Sequence, residues 1–159
     1  MESPMKKFTL LFCLIVSYSL VQANDEFFMK DRNDPVKIEA FAKAKEHQGI
    51  FIEALENRGL ETSKYDYYGA YLKFEENGQT EYLWLGDVQK YKEFYIGVIL
   101  SEPRLLTNTK SGKTIGFYPS DIYDWQLSEK QSGKIIGAFY ICANSDKGYI
   151  ESQNFACNL

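Results

Sequence analysis

The apolar positions follow two different periods. From Pro35 to Asn57 they recur at near-helical spacing: Ile38, Phe41, Phe51, Ile52 and Leu55, with Ala40, Ala42, Ala44 and Ala54 between them. Lys37, Lys43, Glu46 and Glu53 then fall on the solvent side. Asp34 suits the cap, Pro35 the first turn, and Arg58-Gly59 the end. Gly49 interrupts at a cost of about 1 kcal/mol relative to Ala, so a kink or two shorter helices is expected.

After Gly59 the period falls to two. Tyr68, Ala70, Leu72 and Phe74 alternate with Tyr67, Tyr71 and Lys73, and Glu75-Glu76-Asn77-Gly78 turns the chain into Thr80 to Leu85. Phe94, Ile96, Val98 and Leu100 alternate most cleanly and are expected to face the core, with Glu93, Tyr95 and Gly97 on the opposite face, which predicts a central strand. The stretch from Gly112 to Leu127, a strand, a Pro-Ser-Asp turn and a second strand with Trp125 just past the bend, is the segment around which the rest is expected to organise. A last long strand is predicted from Lys134 to Cys142. The fold class is therefore α+β: an N-terminal helix packed on a curved antiparallel sheet of five or six strands, in one domain from residue 35 to residue 159.

The N-terminus has the form of a secretory signal: basic Lys6 and Lys7, an apolar run from Phe8 to Tyr18, and Val21-Gln22-Ala23 as a cleavage pattern. That run is too short to span a membrane. Cleavage after Ala23 leaves a lead-in from Asn24 to Asp34, polar apart from Phe27, Phe28 and Met29, and implies a periplasmic or secreted protein. Losing Glu2, Lys6 and Lys7 takes the formal charge from −4 to −5, which argues against nucleic acid and anionic lipid as partners. Cys13 leaves with the signal, so Cys142 and Cys157 are expected to form a disulfide in an oxidising compartment.

Candidate chemistry is sparse. His47 is the one histidine and sits among charged neighbours, so it reads as a surface residue and neither a catalytic triad nor a zinc site is expected. Ser111-Gly112-Lys113-Thr114 mimics the end of a phosphate-binding loop, but Thr107 stands where its first glycine belongs. No cofactor follows. The carboxylates of Glu75, Glu76, Glu81, Asp121 and Asp124 offer a calcium site or acid/base chemistry, the latter only if their environments separate their pKa values. The simpler expectation is that Asp121 caps the turn after Pro119 and Asp124 accepts backbone N–H bonds near Trp125. Tyrosine is abundant across the strand region, and Tyr67, Tyr71, Tyr82 and Tyr95, with Trp84, are candidates for a recognition face.

The ordered pieces Ala44-Lys45 leading to Phe51 and Leu55, Glu81-Tyr82-Leu83-Trp84-Leu85, Gly97 to Pro103, and Asp121-Ile122-Tyr123-Asp124-Trp125, followed by Gly133-Lys134 to Gly137, resemble the YegJ-like family of uncharacterised bacterial proteins, domain of unknown function 2314. That family's pattern has His where Tyr82 stands and Asn where Ser101 stands. The resemblance implies a fold and no substrate. From the residues, the expected function is an exported, non-enzymatic recognition protein, an inhibitor or immunity protein that binds a toxin or envelope enzyme through its Tyr-rich face. The alternative is a periplasmic small-ligand binder or hydrolase with Glu81, Glu102, Asp121, Asp124 and Trp125 around a pocket.

Overall fold

The computed structural model describes residues 34–157. The predicted signal peptide, and the lead-in up to residue 33, lie outside the described residues.

Helix α1 (Pro35–Glu46) begins as its sequence dictates, with Pro35 in the first turn and the Asp34 carboxylate accepting the Val36 N–H at 3.0 Å. It ends at His47, and α2 (Gln48–Glu56) follows at once. Two shorter helices therefore replace one, and the break falls where the chain is tied sideways. Gln48 Nε2 donates to the Pro119 carbonyl at 2.6 Å, while a Cβ added at Gly49, the expected interruption, would meet nothing within 4 Å. The buried stripe of α1 runs Lys37, Ala40, Ala44 and on to Gln48. This corrects the predicted face: Lys37 is 7 % exposed and Ile38 58 %. The Lys37 ammonium lies over the Tyr82 ring, 3.8 Å from its centroid, and this aromatic contact makes a buried lysine tolerable.

Seven strands follow: β1 (Tyr65–Glu76), β2 (Gln79–Tyr91), β3 (Phe94–Ile99), β4 (Thr114–Phe117), β5 (Ile122–Glu129), β6 (Ile135–Gly137) and β7 (Phe155–Ala156). They form one sheet in the order β4-β3-β2-β1-β5-β6-β7, antiparallel throughout except for the β6–β7 pair. The central strand is thus β1, with β3 one place from the edge. The strand beyond the expected five or six is the short β7, and β6 is the beginning of the strand predicted from Lys134. Between Pro119 and Asp121 a 3-10 turn links β4 to β5.

The alternation along β3 was legible, but its sense is reversed. Tyr95, Gly97 and Ile99 are buried, and Phe94, Ile96 and Val98 lie on the outer face with Leu100 beyond them, 50 % exposed. Helix α2 covers the inner face, where Glu56 accepts from the Tyr95 hydroxyl. An irregularity between Gly86 and Gln89 shifts the β2–β3 register. Gly97 is what allows β3 to lie against Leu85 and Val88, because a Cβ there would stand 3.1 Å from each.

The predicted strand from Lys134 to Cys142 stops at Gly137, and α3 (Phe139–Asn144) takes its place. Gly137 (φ +82°) and Ala138 (φ +51°) turn the chain in the left-handed region. The reason lies on another strand: the Asp124 carboxylate accepts the N–H groups of Phe139 and Tyr140, the first residues of α3. Helix α4 (Lys147–Ser152) leads to β7, and the Cys142–Cys157 disulfide fastens this tail to α3. No described helix is long and apolar enough to cross a membrane. The disulfide suggests an oxidising compartment.

The core is centred on Trp125, which is fully buried, stacks on Phe51 with centroids 5.7 Å apart, and donates its indole N–H to the Ala44 carbonyl at 2.8 Å. It joins β5 to both N-terminal helices.

Candidate functional site

Among the candidate recognition residues, Tyr71, Tyr82 and Trp84 come together through the β1–β2 register, in which Tyr71 pairs with Trp84 and Lys73 with Tyr82. The Tyr71 ring stacks on Trp84 at 4.9 Å and lies 5.7 Å from Tyr82. Phe41 from α1, Tyr123 from β5 and Tyr140 from α3 complete the cluster. It is packing and not a free face. Tyr71 is 2 % exposed and Trp84 8 %. Burial, with Tyr140, Asp124, Tyr82 and Glu81 nearby, pushes the Tyr71 hydroxyl well above its ordinary pKa.

Tyr95 stands apart on the inner face of β3 against Phe117, and Tyr67 is half-buried beside Gly69. The Tyr67–Tyr71–Tyr95 recognition face is therefore corrected. Alternation distinguishes two faces of a strand without saying which one the helices will cover. Lys37, Phe41 and Tyr140 belong to the cluster and were missed. For Lys37 the signal was present: positions 37, 40, 41, 44 and 48 share one helical stripe.

The carboxylates do not converge on a pocket. Asp124 is fully buried and accepts three backbone N–H bonds, from Trp125 at 2.8 Å, Phe139 at 3.2 Å and Tyr140 at 2.8 Å. Desolvation outweighs these bonds and raises its pKa to about 7. Asp121, at the surface, accepts the Tyr118 N–H at 2.8 Å and so caps the 3-10 turn. Both aspartates thus take the structural role that the sequence favoured.

Glu81 accepts the N–H groups of Arg104 and Leu105, Glu76 those of Thr107 and Asn108, and Glu102 that of Ser111. These hydrogen bonds hold the Glu76 pKa below the ordinary carboxylate value, the Thr107 hydroxyl contributing most. The three glutamates pin the long β3–β4 connection. Trp125, offered as a pocket wall, is the centre of the core. His47 is half-buried at the α1–α2 junction, its ring stacked on Phe139 at 5.7 Å, and is not the surface residue expected. Among the described residues no group of three His, Cys, Asp or Glu side chains is placed to hold a metal ion.

The outer face of β3 is half-buried, with Phe94, Ile96 and Val98 partly open to solvent and Leu100 exposed beyond them, and it lies next to one of the two edges of the sheet. Leu100 folds over Gly86 and Phe94 over Gly116, each in the space a Cβ would occupy. Tyr91 and Tyr118, 48 % and 56 % exposed, flank Phe94 at centroid distances of 5.4 and 6.4 Å. Sequence reasoning placed Phe94, Ile96, Val98 and Leu100 in the core, so this surface was not among its candidates. Strand β4 ends the sheet. Ile99 N–H donates to the Lys113 carbonyl, and Ile99 lies one position past the Val98–Thr114 pair. By alternation the backbone groups of Thr114 and Gly116 therefore point away from β3, to the open edge.

Residues 34–153 match the family model described as "Uncharacterized protein conserved in bacteria (DUF2314)". The chain is also similar to "Uncharacterized protein YegJ" of Escherichia coli (strain K12), at 25 % identity over 139 residues, covering 86 % of each chain. No solved structure matches it.

Proposed function

We propose, from the premise that this chain belongs to the DUF2314 family of bacterial proteins, that it is an exported recognition protein which works by binding another protein and performs no chemistry of its own. The family description names no activity, so the reading rests on geometry. One observation carries it: an apolar strand face, Phe94, Ile96, Val98 and Leu100, adjoins a sheet edge whose Thr114 and Gly116 backbone groups face outward. Soluble proteins usually blunt such an edge, and its commonest use is to accept an added strand.

The partner is a protein segment in extended conformation, with alternate apolar side chains for the outer face of β3. A secreted toxin or an envelope enzyme offers such a segment, and binding alone suffices to inhibit either. Support for export comes from the signal-like N-terminus and the Cys142–Cys157 bond. The engagement of Asp124, Asp121, Glu81 and Glu102 with backbone N–H groups supports binding over catalysis.

The test is capture of a partner from envelope extract by the purified protein, compared with Leu100→Glu, Thr114→Pro and a distant control, Glu151→Lys. Leu100→Glu puts a charge on the face, and Thr114→Pro deletes an outward donor without touching the β3–β4 ladder. A stoichiometric partner is expected to be lost with both and kept by the control. In the complex the Thr114 and Gly116 amides should also slow in hydrogen exchange. A partner held equally by all three variants would refute this surface.

A further inference from the structure

Helix α2 presents a second feature on a different part of the molecule. Ile50, Glu53, Ala54 and Asn57 follow one another at spacings that align them on one stripe of α2 and the residue capping it. This stripe forms one wall of a half-open groove of about 310 Å³, and the turn entering β1, including Lys64 and Tyr65, forms the other. The volume is at the lower end of the range for small-molecule sites.

The second wall is held in place before any ligand arrives. Ser63 Oγ lies 2.9 Å from the Tyr68 hydroxyl and also donates to the Tyr65 carbonyl, and Lys130 N–H donates to the Lys64 carbonyl at 2.9 Å. Asn57 closes the helix end, its side chain donating to the Glu53 carbonyl at 3.0 Å. The apolar surface comes from Ile50, 38 % exposed, Ala54 and the Tyr65 ring.

Two opposite charges line the groove, Glu53 and Lys64. Neither side chain has an ion pair or hydrogen bond within the described residues, with the other or with anything else. The described glutamates already discussed behave differently: Glu56 is paired with Lys90, and Glu76 and Glu81 hold backbone N–H groups. Burial, and then the neighbouring Glu129, Tyr68 and Glu53 groups, raise the pKa of the Tyr65 hydroxyl.

From this juxtaposition we infer that the groove binds a small zwitterion, a free amino acid or dipeptide with an apolar side chain. Its ammonium group meets Glu53, its carboxylate meets Lys64, and its side chain lies against Ile50, Ala54 and Tyr65. A monovalent ion satisfies only one wall, and a neutral apolar molecule leaves both charges facing it without a counter-charge.

The experiment is an NMR titration of the purified protein with leucine and leucyl-leucine, following the amides of Ile50, Ala54 and Tyr65. N-acetyl-leucine and leucinamide, each lacking one charge, are the controls. Saturable shifts centred on those amides are expected, with affinity reduced about tenfold or more for each capped analogue and for Glu53→Gln and Lys64→Gln. Both variant positions are exposed, so their fold is checked by the unchanged remainder of the spectrum. Absence of saturation up to about 10 mM with either zwitterion would overturn the inference, as would capped analogues or variants that bind equally well.

Discussion

Replacing Asp124 by Asn, in a His47→Gln background, measures what the buried carboxylate does. Its pKa is raised from 3.8 to about 7, so the folded protein holds the proton more tightly than the unfolded chain. The stabilisation from protonation is fully present below about pH 3.8 and is lost as pH rises through about 7. Roughly three pKa units at about 1.36 kcal/mol each set an upper bound near 4 kcal/mol, of which about 2.5 kcal/mol falls between pH 5 and pH 7.5. The surface carboxylates do not disturb this window. Glu56 and Glu76 have lowered pKa values, so their contributions are present above about 4.5 and are lost only as pH falls below it.

Urea unfolding of the protein that keeps Asp124 should therefore show a midpoint that rises by about 1–2 M on acidification from pH 7.5 to pH 5, taking an m-value of about 1.5–2 kcal/mol/M. The Asp124→Asn variant should show no such rise. Its amide oxygen still serves Trp125 and Phe139, but its NH2 group faces the Tyr140 N–H, so at pH 5 it should be less stable by about 1–3 kcal/mol. That gap should narrow as pH rises. A flat midpoint for the protein that keeps Asp124, or parallel shifts in both, would refute the reasoning, because it would mean that burial does not govern this carboxylate.

Two further outcomes follow from the same region. Changing both Cys142 and Cys157 to Ser opens a loop of 15 residues and should lower stability by about 3 kcal/mol, with thermal unfolding of the wild type in reductant matching the variant. Gly137→Ala would drive a Cβ against the Trp125 carbonyl and to 2.6 Å from its ring at φ +82°, so it should cost about 3 kcal/mol or more in chemical denaturation. Gly59→Ala, at φ +85° with open space around it, should cost only about 1 kcal/mol, and equal losses at the two sites would contradict the packing at Trp125.

Much of the frame was legible because its causes are local. Asp34 and Pro35 marked the start of α1, Asn77-Gly78 the β1–β2 turn, and Cys142 and Cys157 their own pairing. Asp121 and Asp124 were readable as acceptors of nearby N–H groups. The surface was less legible. Lys37 lies buried beneath Tyr82 and Ile38 is outside, the reverse of what charge alone implies, because the stripe that meets the sheet is set by where Phe41 and Ala44 dock.

The sequence by itself determined the α+β class, the succession of an N-terminal helical segment and the strands as far as β6, the disulfide and the capping aspartates, since each depends on residues a few positions apart or on the count of thiols. Tertiary structure alone decided which side of β3 is core. Both sides carry apolar or aromatic residues, and the choice follows from where α2 lies and where β2 is irregular. It also made a helix of Phe139 to Asn144, a run rich in strand formers, through a carboxylate on β5, 15 and 16 positions away, that accepts the N–H groups of its first two residues. A buried backbone donor must find an acceptor wherever the fold supplies one, and no local pattern records that distance.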